Sequence, residues 1–315
     1  MPTFPTYSDI ERAHDRIRPF IHHTPVMTSV SINEIVGAEL YFKCENLQKV
    51  GAFKFRGACN SVFALSDEEA KNGVCTHSSG NHAAALALAA RMRGVPAYIV
   101  MPENAPEIKK KAVAGYGALI TFCEPTQAAR EATLTQISGQ TGATEIHPYN
   151  YFNVICGQGT AAKELIEETN WLDVVMAPVG GGGLLSGTAI ATRKLLPNAR
   201  VIAAEPAGAD DAFRSFYSQT LHPSVSPKTM ADGLLTSLGS LTFTIVLGNV
   251  DQVVTVSEEG IVTAMRMIWE RMKIIIEPSS AVPLAAILEN KVEVKGQRVG
   301  IILSGGNVDL GKLPF

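Results

Sequence analysis

Short apolar, β-branched runs alternate with segments of helical periodicity along almost the whole chain. Ala97–Met101 (AYIVM), Leu119–Cys123 (LITFC), Val174–Val179 (VVMAPV), Val201–Ala204 (VIAA), Val253–Val256 and Val299–Leu303 (VGIIL) read as strands, as does Leu40–Lys43 (LYFK). Ala58–Leu65, Asn81–Met92, Gly159–Glu168, Leu184–Leu196, Glu258–Met272 and Ser280–Leu288 read as helices, and the N-terminus is amphipathic from Ser8 onward. Apolar strands alternating with helices predict an α/β fold of mostly parallel sheets covered on both faces. No repeat, low-complexity tract or charged linker breaks the alternation, so a second domain is expected as an insertion. Residues 73–147 carry their own strand–helix series and are the expected small domain, with 1–72 and 148–315 forming the large one.

Composition narrows the function classes. The 315 residues carry a net charge of −3 with no basic stripe, which argues against nucleic acid. No apolar run approaches a membrane span, and the N-terminus lacks an apolar signal core. A cytoplasmic protein is expected. The cysteines Cys44, Cys59, Cys75, Cys123 and Cys156 are scattered without a CxxC pair, so they read as reduced thiols rather than a zinc site or disulfide framework.

Candidate chemistry centres on Lys54, between Phe53 and Phe55 in NLQKVGAFKFRGACN, at a strand-to-helix turn. Desolvation, the positive end of the following helix and the nearby Arg56 are each expected to lower its amine pKa, making it a nucleophile suited to a Schiff base. A snorkelling surface lysine also fits the same local pattern. Gly180, Gly181, Gly182 and Gly183 follow the strand VVMAPV and open a helix, so their backbone amides can converge on an anion. The loop is neither GxGxxG nor a Walker loop, and a monophosphate on a small cofactor suits it better than a nucleotide.

His77–His82 (HSSGNH) opens an Ala-rich helix. Ser78, Ser79 and Asn81 exceed what capping alone needs, so Ser78, Ser79, Gly80, Asn81 and His82 are candidates for gripping a ligand carboxylate. His82 itself also suits a structural place at the helix start. Ser304, in LSGGNVD, lies at the carboxyl end of the last strand, where ligands sit in open α/β sheets. Glu277 in IIEPSSA and Glu205 in AAEPAGADD are each expected to end an apolar strand before a proline, which aims Glu277 at the cofactor crevice. Glu205 and Asp211 offer hard oxygen ligands for Mg²⁺ or Ca²⁺.

Taken together, NLQKVGAFKFRGA, HSSGNH, PVGGGG, AAEPAGADD, IIEPSSA and LSGGNVD resemble the fold-type-II pyridoxal-phosphate enzymes, in the group of serine racemase, serine/threonine dehydratase and 3-hydroxyaspartate dehydratase. The resemblance runs from about Tyr7 to Asp309 and implies two open twisted sheets and a homodimer. It implies that Lys54 carries the cofactor, that Phe53 packs near it, and that Asn81 hydrogen-bonds its ring oxygen. The glycines 180–183 would hold its phosphate, and Ser304 would meet the pyridine nitrogen. Ser79 would face Lys54 across the cofactor. Glu205, the Ala209 carbonyl and Asp211 match the group's site for Mg²⁺, Ca²⁺ or Mn²⁺. Arg130, in EPTQAAREA, matches an arginine that can approach the substrate side chain, though a solvated helix charge fits it as well.

The implied activity is β-elimination of a β-hydroxy amino acid (serine, threonine or 3-hydroxyaspartate) to a 2-oxo acid and ammonia, with serine racemisation. The chain departs from the group at Ala83 and Ala84, after HSSGNH, and in the aromatic HPYNYFN segment. No long extension follows Phe315, so the regulatory domain of biosynthetic threonine dehydratases is expected to be missing. A β-replacement enzyme of the cysteine or cystathionine synthase type is the nearest rival. A non-catalytic amino-acid-binding regulator would have little need of Lys54. A nucleotide-binding oxidoreductase lacks its ribose-binding acid here.

Overall fold

The computed structural model describes residues 4–78, 80–105 and 107–315, apart from the side chain of Ile108. In chain order the first half runs α1 (Tyr7–Ile17), β1 (Val26–Met27), α2 (Val30–Val36), β2 (Glu39–Cys44), α3 (Lys54–Ala64), α4 (Asp67–Ala70), β3 (Val74–His77), α5 (Asn81–Arg93), β4 (Ala97–Pro102), α6 (Glu107–Gly115), β5 (Leu119–Cys123), α7 (Gln127–Thr141) and β6 (Thr144–Glu145). The second half runs α8 (Phe152–Thr169), β7 (Val174–Pro178), α9 (Gly183–Leu195), β8 (Arg200–Pro206), α10 (Asp211–Ser218), α11 (Ser240–Asn249), β9 (Gln252–Val256), α12 (Glu258–Met272), α13 (Pro278–Leu288) and β10 (Arg298–Leu303).

The strands form two sheets. A six-stranded sheet has the order β1-β2-β10-β7-β8-β9, and a four-stranded sheet the order β5-β4-β3-β6. Every pairing is parallel except β1 on β2. Parallel neighbours need helical crossovers, which cover both faces and explain why β7, β8 and β10 are buried almost end to end. The strand β5 departs from that pattern. It lies at the edge of the small sheet with Leu119 and Phe122 exposed, so LITFC is not the doubly covered strand its composition predicts.

Helix α8 joins the halves. A Cβ on Gly157 would sit 2.6 Å from the Cα of Gly57 in α3, and one on Gly187 of α9 would sit 2.4 Å from the nitrogen of Gly159. The ICGQGT run thus lets two helix backbones close on α8. It also extends that helix seven residues ahead of the expected Gly159 start, back to Phe152. A network of buried charges fills the same junction. Arg56 on α3 donates from Nε to Glu45 at 2.7 Å and from Nη1 and Nη2 to Glu164 on α8 at 2.8 and 2.7 Å. Lys43 of β2 adds a second cation to Glu164 at 2.8 Å. Fork-to-carboxylate pairing satisfies groups that would otherwise be costly to desolvate. It holds Glu164 down at about 2, with the two cations outweighing a burial effect that would raise it.

Candidate active site

Lys54 is the first residue of α3, four residues earlier than the expected Ala58 start. Two short 3-10 turns, Glu45–Leu47 and Lys49–Gly51, separate it from β2. The segment before it pairs with the chain leaving β10: Phe53 N donates to the Ser304 carbonyl at 2.9 Å and Gly306 N to the Gly51 carbonyl at 2.9 Å. That short ladder sets Lys54 beside Ser304. The Lys54 ammonium donates to the Pro148 carbonyl at 2.9 Å and lies 5.2 Å from the Phe53 ring centroid and 6.0 Å from that of Tyr149. Burial lowers its pKa to about 8, against the pull of Glu277, which raises it. The guanidinium of Arg56, expected to act on Lys54, is instead paired with Glu45 and Glu164.

The glycine loop packs too tightly for side chains. Gly182 has φ 84°, the left-handed region, and a Cβ on Gly181 would lie 2.3 Å from the Tyr149 ring. On Gly180 it would lie 2.9 Å from Leu234 Cα. Thr242 fixes the loop from behind, its hydroxyl donating to the Gly181 carbonyl at 2.8 Å. Helix α9 begins at Gly183, so its unpaired first-turn N–H groups face the cradle.

Opposite Lys54, Asn81 starts α5 and donates from Nδ2 to both carboxylate oxygens of Glu277, at 3.2 and 3.1 Å. Its Oδ1 accepts from Asn307 at 2.9 Å. Glu277 does not end a strand, as its apolar approach suggests, but precedes α13 as its N-cap. Burial raises its pKa to about 7, with Asp232 adding to the rise and Asn81 opposing it. Ser304 is buried, and its hydroxyl lies 3.1 Å from that of Ser280. Ser79 lies outside the described residues.

A histidine cluster lines the small-sheet side. His82 is buried with Nε2 3.2 Å from the Ile146 carbonyl and, among the described residues, Nδ1 without a partner. Burial brings its pKa down to about 3, with Lys54 next in importance. His147 accepts the Asn150 N–H at Nδ1 at 3.0 Å and meets the Tyr149 ring edge-on at 4.6 Å. It is therefore neutral, in keeping with a pKa pushed down to about 4 by burial. Arg130, on α7, is half-buried with Nε unpartnered among the described residues, and it is close enough to His77 to help burial lower that residue's pKa. It is not the fully solvated charge its helix position allows.

Glu205 at the end of β8 and Asp211 at the start of α10 are both 1% exposed, and neither forms a salt bridge among the described residues. Ala209 lies between them in the 3-10 turn Ala207–Ala209. Burial raises Glu205 to about 9, with Asp211 adding to it, and burial raises Asp211 to about 6. Among the described residues no group of three or more His, Cys, Asp or Glu is placed to hold a metal, so any site here is a two-carboxylate one completed by carbonyls. The sequence reading overlooked Tyr149, Pro148, Thr242 and Asn307. Pro148 and Tyr149 lie in the flagged HPYNYFN segment and Asn307 in LSGGNVD, while Thr242 left no signal.

A lysine at a helix start, a glycine cradle at the carboxyl end of a parallel strand and a carboxylate–amide pair joining α5 to the start of α13 define a cofactor-dependent α/β enzyme. Residues 17–305 match the family described as "Pyridoxal-phosphate dependent enzyme", and the chain belongs to that family. It is 53% identical to the β-hydroxyaspartate dehydratase of Paracoccus denitrificans over 311 residues, covering 99% of each chain. It is 54% identical to the serine racemase of Dictyostelium discoideum over 312 residues, covering 98% of this chain and 96% of that one. The crystal structure of that serine racemase superposes with a TM-score of 0.93 at 55% identity, covering 97% and 99% of the two chains. All five cysteines are free and buried, and no described helix is long and apolar enough to cross a membrane.

Proposed function

We propose that the protein eliminates water from a β-hydroxy amino acid, giving a 2-oxo acid and ammonia, and that it also racemises serine. The observation that carries this reading is Lys54: a buried amine with its pKa brought down to about 8, near the Phe53 and Tyr149 rings, the second of which packs on the glycine cradle. These residues fit pyridoxal phosphate. Lys54 would carry its aldehyde carbon, Gly180–Gly183 its phosphate, Asn81 its ring oxygen and Ser304 its ring nitrogen, with Phe53 against it. When bound, the cofactor delocalises electrons and so acidifies the substrate Cα–H. With the cofactor bound, Lys54 would be the base for that proton on one face, and a pKa near the working pH suits a residue that both accepts and returns it. Ser304 would offer the ring nitrogen a hydroxyl rather than a carboxylate, which would favour prompt loss of the β-hydroxyl. The water lost at Cβ is regained when the released enamine tautomerises and hydrolyses to oxo acid and ammonia.

The carboxylate of the substrate is assigned to the Ser78–Asn81 loop, with His82 below it, and delivery of a proton on the far face to Ser79. Arg130 favours substrates with a second carboxylate, because a guanidinium pairs with it bidentately. Glu205, the Ala209 carbonyl and Asp211 are proposed to hold Mg²⁺ or a similar hard cation. Their burial, their raised pKa values and the absence of a salt bridge to either among the described residues support this. Residues 73–147 are assigned to a small domain within the large one, and the working form to a homodimer. The test is a panel of D- and L-serine, L-threonine and threo- and erythro-3-hydroxyaspartate, scoring both oxo acid and enantiomer. Turnover only when sulfide or homocysteine is added would instead make it a β-replacement enzyme.

A further inference from the structure

We propose that Asn307 is a positioning residue that sets two cofactor contacts with one nitrogen: it decides which end of the Asn81 amide faces the cofactor, and it pins the strained turn that leads into Lys54. Both contacts are those assigned to pyridoxal phosphate, so the proposal deepens that reading and rests on it. Asn307 lies just past the end of β10 and is exposed. Its Nδ2 donates to the Val50 carbonyl at 2.7 Å and to Asn81 Oδ1 at 2.9 Å. An amide nitrogen carries two hydrogens, and these two acceptors take both.

The polarity of this hydrogen-bonded chain follows from its ends. A backbone carbonyl only accepts, so Val50 obliges Asn307 to present its nitrogen, and that nitrogen in turn obliges Asn81 to present its oxygen. The Asn81 nitrogen is left to Glu277, whose oxygens lie 3.2 and 3.1 Å away. Glu277 alone does not fix the arrangement, because a carboxyl that titrates at about 7 donates in one state and only accepts in the other. The cofactor's ring oxygen is an acceptor, and an Asn81 amide turned the other way would set oxygen against oxygen there. On the Lys54 side, Val50 has φ 57° and ψ 13°, the left-handed region that a β-branched residue rarely adopts, and Gly51 follows at φ 68°. The Val50 side chain packs against the apolar cluster of α3 and α5. Asn307 closes this turn from the solvent side, since a Cβ on Gly51 would lie 2.7 Å from its Oδ1. Lys54 comes three residues later, so the turn's position is passed on to the amine.

The experiment titrates pyridoxal phosphate into the full chain and reads its Kd and visible absorbance maximum. It compares wild type, Asn307→Ala, the isosteric Asn307→Asp, Asn81→Ala and the double variant Asn81→Ala/Asn307→Ala. Asn307→Ala is expected to weaken cofactor binding about three- to tenfold, the worth of one hydrogen bond, and to displace the absorbance maximum. Asn307→Asp should do so more strongly, because its carboxylate faces two acceptors. With Asn81 already replaced, Asn307→Ala should no longer move the absorbance maximum, the non-additivity expected of a residue acting through another. Hydrogen exchange over residues 49–54 of the cofactor-free protein should be faster in both Asn307 variants, with an unchanged unfolding midpoint, since an exposed side chain leaves no cavity. Absorbance shifts that add in the double variant, unaltered exchange over 49–54, or an unfolding midpoint that falls in step with cofactor affinity would each overturn the positioning role. Failure of wild type to bind pyridoxal phosphate, or an Asn81→Ala variant with wild-type affinity and absorbance, would instead overturn the reading of the cofactor contacts themselves.

Discussion

The Lys54 ammonium rests on the carbonyl of Pro148, 2.9 Å away and 94 residues along the chain. That contact ties the residue assigned to carry the cofactor to the segment that packs Tyr149 on the glycine loop.

Purified protein should be yellow, and borohydride should fix the cofactor on Lys54. Lys54→Ala should lose several orders of magnitude in kcat, because attachment and proton transfer vanish together. Peptide mapping checks the site, and labelling of a different lysine would end the assignment.

Metal binding should release protons. Below about 6 both Glu205 and Asp211 are protonated, and Glu205 keeps its proton up to about 9. A cation must displace those protons, so Mg²⁺ affinity should rise with pH across that interval. Without metal, these raised carboxyls make stability fall as pH climbs from the ordinary carboxylate range toward 9. Thermal melts with and without chelator should therefore diverge as pH increases. Glu205→Gln should remove most of the divergence.

Removing one partner of the Arg56 network should cost about 3–5 kcal/mol, since it strands buried charge. Arg56→Met is the variant, and denaturant unfolding the measurement. Glu164 ionises at about 2 in the folded protein, below its ordinary value of 4.5. Its stabilising share is complete above the unfolded-state value and is lost as pH falls from there toward 2. Glu164→Gln should flatten the acid limb of the stability curve.

Arg130→Ala should hurt 3-hydroxyaspartate turnover far more than serine turnover, by the equivalent of about 2–5 kcal/mol in kcat/KM if the guanidinium holds the second carboxylate. Equal effects on both substrates would make Arg130 a structural charge against His77.

The chain's own pattern determined the alternation of strands and helices, the crossover logic of the sheets, and the local settings of Lys54, Gly180–Gly183 and Ser304. Each depends on nearest neighbours: periodicity, a glycine run after a buried strand, a hydroxyl at a strand end. Only the tertiary structure decided what the charges do. Arg56 looks like a neighbour of Lys54 in sequence, yet Glu164, 108 residues away, takes its guanidinium. Glu277 looks like a strand-end acid, yet it caps α13, where burial raises its pKa, with Asp232 adding to the rise and Asn81, 196 residues away, opposing it. The apolar run of β5 could not disclose that it would lie at a sheet edge, because edge or centre depends on which strands pair beside it. Electrostatics and packing act through space, and the distances that govern them exist only once the two sheets and α8 have come together.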